Sequence, residues 1–264
     1  MRFRAITYNI LATAYIKPAW YAGVAADLLR PELRVPAAVE HIEGLHADLL
    51  CLQEVEAETF TTLNRRLKPL GYAGRYERQG QGKPDGCAVF FREGLFTLRE
   101  VQRRDYHDVE RGPAGDSGHI ALLLCLEHEG RLLGVANTHL RWDKPGTPRT
   151  QQIGYRQILE LLEACERFTP PCEGWLVCGD FNCPAHSEVV AAMSRAGYVY
   201  AHARCPGVRS CVVNGKAKLI DYLFHTAALQ SRPFDPPPVV DGQPLPSQEQ
   251  PSDHLALVAD FAWA

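Results

Sequence analysis

Gly174-Trp175-Leu176-Val177-Cys178-Gly179-Asp180-Phe181-Asn182 is the stretch whose reading decides the fold. Its first half is a short apolar run bounded by turn residues, the mark of a buried strand. Its second half delivers a carboxylate and a carboxamide to the strand's end, and at a spacing of two both side chains leave the same face. Asp180 and Asn182 can therefore address one small volume, where a carboxylate takes a proton or a metal and a carboxamide offers a neutral donor and acceptor. Gly179 leaves room for close approach of another group. An Asp–Asn turn closing a strand accounts for the same residues without any function, so the decision falls to the rest of the chain.

Upstream of this strand, residues 148–168 carry Ile153, Ile158, Leu161 and Leu162 at helical spacing; downstream come a helix near 186–195 and a short strand at 198–200. At the start of the chain, residues 3–9 form a strand ending in Asn9, and an irregular loop over 12–31 holds Pro18, Trp20, Tyr21 and Pro31. Pro36 opens a helix to about His46. Leu49-Leu50-Cys51-Leu52 is a buried strand ending at Gln53-Glu54, and 57–68 is a second helix closed by Pro69 and Gly71. Strands follow over 72–76, 88–91, 95–101, 120–126 and 132–138, the last two joined by a tight turn at Glu129-Gly130. Asn214-Gly215 turns a hairpin over 212–217, and 219–224 and 255–261 are the closing strands. The segment 232–252 holds seven of the nineteen prolines and reads as a surface loop. The layout is one α/β domain over residues 1–264, with two helix-containing halves that each bring several strands, hence a two-sheet sandwich covered by helices.

Composition sets the class. Hydrophobic residues make up 46% and charged residues 22% of the 264, enough for a sizeable core. A net charge of −3 gives no overall basic stripe for long duplex nucleic acid. The nine cysteines are odd in number and include no C-x-x-C pair, which argues against a zinc site or a disulfide framework and for a reducing, cytoplasmic setting. Arg2 and Arg4 precede Ile10-Leu11-Ala12-Thr13-Ala14, but Thr7 and Asn9 interrupt any signal-peptide core. The longest apolar run, Ile120 to Leu126, is too short to span a bilayer, so no membrane role is expected.

Polar clusters recur just beyond apolar strands: Asn9, Gln53-Glu54, Asn137-Thr138-His139, Asp180-Asn182 and Ser252-Asp253-His254. Asp221 lies inside Leu219-Ile220-Asp221-Tyr222-Leu223-Phe224, where a carboxylate is costly without a partner. An imidazole is the obvious partner, and His254 is the candidate. Each cluster alone reads as a capped strand end; strand ends on one edge of a sheet converge, which makes six coincidental caps a poor account. Carboxylates with carboxamides and no thiolates suit a hard cation, Mg²⁺ or Mn²⁺, whose shell is shared with water and phosphate oxygens. No G-x-S-x-G elbow occurs. Gly80-Gln81-Gly82-Lys83-Pro84-Asp85-Gly86 fails the spacing of a phosphate-cradling loop and reads as a flexible connection, although Lys83 could meet a phosphate. Metal-assisted attack of water on phosphorus remains.

Tyr8-Asn9-Ile10-Leu11, Leu52-Gln53-Glu54-Val55, Asn137-Thr138-His139-Leu140, Gly179-Asp180-Phe181-Asn182, Ile220-Asp221-Tyr222 and Ser252-Asp253-His254, in this order, resemble the endonuclease/exonuclease/phosphatase superfamily. Within it, the first of these motifs, Asp85-Gly86-Cys87-Ala88-Val89-Phe90-Phe91-Arg92 and His139-Leu140-Arg141-Trp142-Asp143 resemble the deadenylase branch, which includes the catabolite-repression deadenylases, nocturnin, the Angel proteins and the mitochondrial 2′-phosphodiesterase. Unlike many of these, the chain shows no leucine-rich repeats.

The resemblance implies a four-layer α/β/β/α sandwich of two mostly antiparallel sheets. It implies Glu54 as a Mg²⁺ ligand with Asn9 and Asp253 close in the same shell, for one or two ions. Asp180 would orient or deprotonate the attacking water, or hold a second metal with Asn182. His254, braced by Asp221, would stabilise the transition state, and His139 would contact the scissile phosphate. Trp20, Tyr21 and Trp142 could stack on bases. Arg141, Arg149, Arg209, Lys216 and Lys218 could contact phosphates. The expected activity is a Mg²⁺-dependent phosphodiesterase on single-stranded RNA, a 3′→5′ exoribonuclease. The alternatives are a phosphatase or phosphodiesterase for 2′,3′-cyclic or terminal phosphates on RNA ends, a DNA-directed repair nuclease, a lipid or inositol phosphatase, or an inactive binding module.

Overall fold

β1 (Phe3–Asn9), α1 (Pro31–Gly44), β2 (Leu49–Glu56), α2 (Ala57–Leu67), β3 (Tyr72–Arg78) and β4 (Asp85–Arg92) open the chain in the computed structural model, which describes residues 1–108 and 116–264. There follow β5 (Thr97–Asp105), β6 (Ile120–His128), β7 (Arg131–His139), α3 (Ile153–Glu166), β8 (Gly174–Asp180), α4 (Glu188–Arg195) and β9 (Val199–Tyr200). β10 (Cys211–Val213), β11 (Lys216–Lys218), β12 (Asp221–His225), β13 (Leu229–Phe234) and β14 (Leu257–Trp263) close it. One six-stranded sheet runs β13-β14-β1-β2-β4-β3 and the other β5-β6-β7-β8-β12-β9, with β10-β11 a separate hairpin.

Each sheet contains one parallel pair, β1/β2 and β7/β8, in mostly antiparallel surroundings. A parallel pair needs a long crossover, and α1 and α3 supply the two. The sheets pack face to face through Phe3, Leu49, Val89, Leu124 and Leu176. α1 and α2 cover the outside of the first sheet through Val39, Ile42, Leu63 and Leu67. α3 and α4 cover the second through Ile158, Leu161, Val189 and Met193. The result is the expected four-layer α/β/β/α sandwich.

One polar lock crosses the apolar layer between the sheets. Gln53 Nε2 donates to Asn137 Oδ1 at 2.7 Å and to Thr7 Oγ1 at 3.0 Å, while Asn137 Nδ2 donates to the carbonyls of Leu52 and Ala88, both at 2.9 Å. Gln53 and Asn137 are structural, joining the sheets just behind the polar edge.

Several expectations are corrected. The first helix opens at Pro31, not Pro36; a proline at the first helical position has its φ pre-set and needs no N–H donor. Pro36 then lies inside the helix on the solvent side, where water can satisfy the carbonyl its ring leaves free. The loop 12–31 contains three short 3₁₀ turns before that helix. Residues 229–234 form an edge strand that the proline-rich composition hid, and Pro233 is tolerated because an edge has N–H positions with no ladder partner. The 80–86 connection is pinned by a bond from the Gly80 N–H to the Gly118 carbonyl at 2.7 Å. Among the described residues no helix is long and apolar enough to cross a membrane.

Candidate active site

The two parallel pairs point their C-terminal ends to one edge of the sandwich, and this convergence assembles the site. His139 and Asp180 are register partners at the ends of β7 and β8, and Asp221 pairs with Asp180 from the start of antiparallel β12. Asn9 comes to the same edge from the facing sheet. Such close strand pairing requires Gly179, since a Cβ there would lie 2.0 Å from the Thr138 carbonyl oxygen.

Asp180 is buried at the centre. Its Oδ1 accepts the Asn182 N–H at 2.8 Å, and its Oδ2 accepts Asn9 Nδ2 at 3.0 Å. The same Oδ2 lies 3.6 Å from His139 Nε2 and 3.7 Å from His254 Nε2, so one carboxylate oxygen faces two imidazoles. His254 Nδ1 meets Asp221 Oδ2 at 2.9 Å, the pair expected from an aspartate in an apolar strand. Asn182 reaches the site differently from simple strand alternation. The strand ends at Asp180, the Asn182 backbone takes a left-handed φ of 52°, and its Nδ2 meets His139 Nε2 at 2.9 Å and donates to the Leu140 carbonyl at 3.0 Å. His139 Nδ1 is buried with no hydrogen-bond partner among the described residues.

Glu54 sits in an irregularity of the β2/β4 ladder with a left-handed φ of 56°. A bulge of this kind re-aims a side chain. Glu54 Oε1 accepts Asn9 Nδ2 at 2.9 Å and Oε2 accepts the Ala12 N–H at 2.8 Å, so the Asn9 carboxamide bridges Glu54 and Asp180. Asp253 accepts the Tyr21 hydroxyl at 3.2 Å. Ser252 Oγ donates to the Asn9 carbonyl at 2.7 Å and accepts the His254 N–H at 3.1 Å.

The charges follow from this packing. Burial works against a charged His254, but Asp221, Asp180 and Asp253 outweigh it and hold the imidazole well above its ordinary pKa. Burial pushes the Asp221 carboxyl up to about 6 against the pull of His254. Both shifts describe one shared proton, and it rests on His254 because three carboxylates face that ring. Burial raises the carboxyls of Glu54 and Asp253 as well, against the opposing pull of the His139 imidazole on the first and of His254 on the second. Carboxylate and carboxamide oxygens gathered at one edge, with no thiolate among them, fit a hard divalent cation. Asp180, Asp221 and His254 also bring ligand-type atoms within 4.8 Å of one another.

A cleft of about 960 Å³ opens over this edge, with Glu54, His139, Asp180, Asp253 and His254 in its lining. Its walls include Leu11, Tyr21, Val212 and Leu245, together with Trp20 and Trp142, which are 57% and 56% exposed. Arg209 and Lys218 line it too. The other expected phosphate contacts are not gathered there. Lys216 pairs with Asp241 at 2.9 Å and Arg149 with Glu188 at 3.7 Å. Arg141 is exposed outside the lining, and Lys83 Nζ lies 3.4 Å from His119 Nε2. Asp143 of the His139–Asp143 motif holds the start of α3, accepting the N–H groups of Ile153 at 3.0 Å and Gly154 at 2.9 Å. Sequence reasoning missed Arg34, a buried cation among these segments; its signal was a charge at the helical position of Ala38 and Ile42 on the apolar face of α1.

A buried carboxylate between two imidazoles, beside clustered carboxylate and carboxamide oxygens at the shared edge of two sheets, defines a phosphoric ester hydrolase. The Endonuclease/Exonuclease/phosphatase family matches residues 6–254, and the chain belongs to that family, in its deadenylase-like branch. It is 27% identical over 333 residues to the Arabidopsis thaliana Carbon catabolite repressor protein 4 homolog 4, covering 99% of this chain and 78% of that protein. It is 27% identical over 322 residues to the Saccharomyces cerevisiae CCR4-Not complex 3′-5′-exoribonuclease subunit Ccr4, covering 98% of this chain but 38% of that protein. The crystal structure of ANGEL2, a 2′,3′-cyclic phosphatase, in complex with adenosine-2′,3′-vanadate superposes with a TM-score of 0.80 at 21% identity, over 99% of this chain and 95% of that one.

Proposed function

We propose that residues 1–264 form a single catalytic domain that hydrolyses phosphodiesters at the 3′ end of single-stranded RNA in a Mg²⁺-dependent, 3′→5′ exonucleolytic reaction. The observation that carries this reading is the Asp180 carboxylate, 3.6 and 3.7 Å from two imidazoles and bridged by Asn9 to Glu54. Glu54, Asn9 and Asp253 would hold the cation, with Mn²⁺ as a substitute. When bound, that cation supplies Lewis acidity to the phosphate oxygens. Asp180 orients the attacking water and takes its proton, a task suited to a carboxylate fixed by the Asn182 and Asn9 N–H groups. His254, kept protonated by Asp221, donates to the oxygen on which charge develops, and His139, held by Asn182, contacts the same phosphate. Trp20 and Trp142 offer faces on which unpaired bases stack. Arg141 and Lys83, outside the cleft lining, are left as contacts beyond the scissile phosphate. Nine free thiols suit a reducing, cytoplasmic setting.

The test is a gel assay on end-labelled single-stranded RNA, matched DNA and RNA ending in a 2′,3′-cyclic phosphate, each with Mg²⁺, with EDTA and with Asp180→Asn. A ladder from the RNA 3′ end that vanishes with EDTA and in the variant is expected. Full activity in Asp180→Asn, which keeps the shape and removes the base, would sink the assignment. A second reading, opening or removal of a terminal 2′,3′-cyclic phosphate, draws on the vanadate complex of the similar ANGEL2 fold. Loss of the terminal phosphate without shortening would select it, and cleavage of DNA alone would select a repair nuclease.

A further inference from the structure

Arg34, in the first turn of α1, is 3% exposed and has no part in the chemistry above. Its Nη1 donates to the Ile10 carbonyl at 2.8 Å and to the Pro251 carbonyl at 3.4 Å, and its Nη2 donates to Thr13 Oγ1 at 3.2 Å. Burying a guanidinium is expensive, and helix packing does not require it, since Ala38 and Ile42 on the same face are apolar. What the guanidinium reaches explains it. Ile10 follows Asn9, and Pro251 precedes Ser252-Asp253-His254, so one guanidinium ties together two segments far apart in sequence that each carry a proposed cation ligand. A second bridge runs beside it, because Ser252 Oγ donates to the Asn9 carbonyl and accepts from the His254 N–H.

We propose that Arg34 and Ser252 form a clasp that fixes the Asp253–His254 segment against Asn9, making Arg34 a positioning residue for the reaction. The proposal rests on the functional reading above. A fork with several fixed donors can hold two diverging carbonyls at once, which a lysine ammonium on its flexible stem does less well. Loss of the clasp would let Asn9 drift relative to Asp253 and His254, parting two proposed cation ligands and the imidazole that faces the phosphate, and displacement of about 1 Å can cost roughly 100-fold in rate.

The experiment compares Arg34→Lys, Ser252→Ala and the double variant for kcat and KM on labelled single-stranded RNA, at a temperature well below each melting point. It also measures Mg²⁺ affinity by calorimetry in an Asp180→Asn background, with and without Arg34→Lys. We expect each single variant to lose roughly tenfold or more in kcat with KM within about twofold. The double variant should lose clearly less than the product of the single losses, because both bridges hold one joint. Arg34→Lys should weaken Mg²⁺ binding roughly tenfold. Folded variants with wild-type kcat and Mg²⁺ affinity, or losses that simply multiply, overturn the clasp. If Arg34→Lys does not fold, Arg34→Gln replaces it, and wild-type kcat in a folded Ser252→Ala by itself overturns the proposal. Activity surviving in Asp180→Asn would instead remove the functional reading, leaving the clasp to be judged by Mg²⁺ affinity.

Discussion

Leu11, Glu54 and Asn182 adopt left-handed backbone with φ of 60°, 56° and 52°, and all three line the cleft. Such conformations cost roughly 1–3 kcal/mol each away from glycine and persist only where the surroundings over-determine them. Here they turn the chain immediately after Asn9 and Asp180 and re-aim Glu54. The residue types at these positions were readable from sequence; the turns were not, because nothing in Gln53-Glu54-Val55 distinguishes a bulge from a regular strand. The Asp221–His254 pair was readable in kind, since a carboxylate in an apolar strand demands a partner. Asp221→Asn keeps the shape but removes the charge that holds the proton on His254. kcat should fall by about 100-fold with little change in KM, within the range for losing a positioned acid. Unchanged steady-state rates would mean that the pair does not govern His254.

At the scale of elements, the two helical crossovers set the site. Each forces its flanking strands to run parallel, so Asn9 and Gln53 end together in one sheet, and His139 and Asp180 in the other. The Gln53–Asn137 lock then sets how the two sheets face each other. From sequence, Gln53 and Asn137 belong to the same polar clusters as Glu54 and His139. One step along a strand reverses the face, and only the packed sheets show which face looks inward. Asn137→Ala leaves the Gln53 amide and the Leu52 and Ala88 carbonyls without that partner in a dry layer. We expect a loss of about 3 kcal/mol in urea unfolding, from unmet buried polar groups and a small cavity. A loss below about 1 kcal/mol would show that the lock is not a stabilising contact. The late start assigned to α1 and the missed β13 share one cause: proline was read as a boundary, whereas a first helical turn and a sheet edge both tolerate it.

Over the whole molecule, burial holds several imidazoles neutral. His41, His119, His128, His202 and His225 are all lowered by burial, His119 to about 2. A neutral histidine in the fold takes up its proton on unfolding below about pH 6.5. The stability that depends on it is therefore complete above that pH and lost as pH falls toward the folded value. Glu54, Asp221 and Asp253 act in the opposite sense, since their raised carboxyls bind protons more readily in the fold than out of it. His119→Gln isolates one contribution: its stability should fall less steeply with acid than that of the parent, by up to about 1.4 kcal/mol per pH unit between roughly pH 6 and 4. Parallel curves in urea titrations across that range would refute a neutral His119.

Taken alone, the sequence determined the class of chemistry and the number of layers. Apolar periodicity marks strands and helices locally, and a carboxylate or imidazole at the end of an apolar run declares itself by its cost. What only the tertiary structure decided is which polar residues meet. Asn9, Glu54, Asp180 and His254 converge, Gln53 and Asn137 turn inward as a lock, Asp143 caps a helix, and Arg34 joins two distant segments. The physical reason is that strand register, bulges and sheet-on-sheet packing are set by contacts between residues far apart in the chain, and local pattern carries no record of those partners.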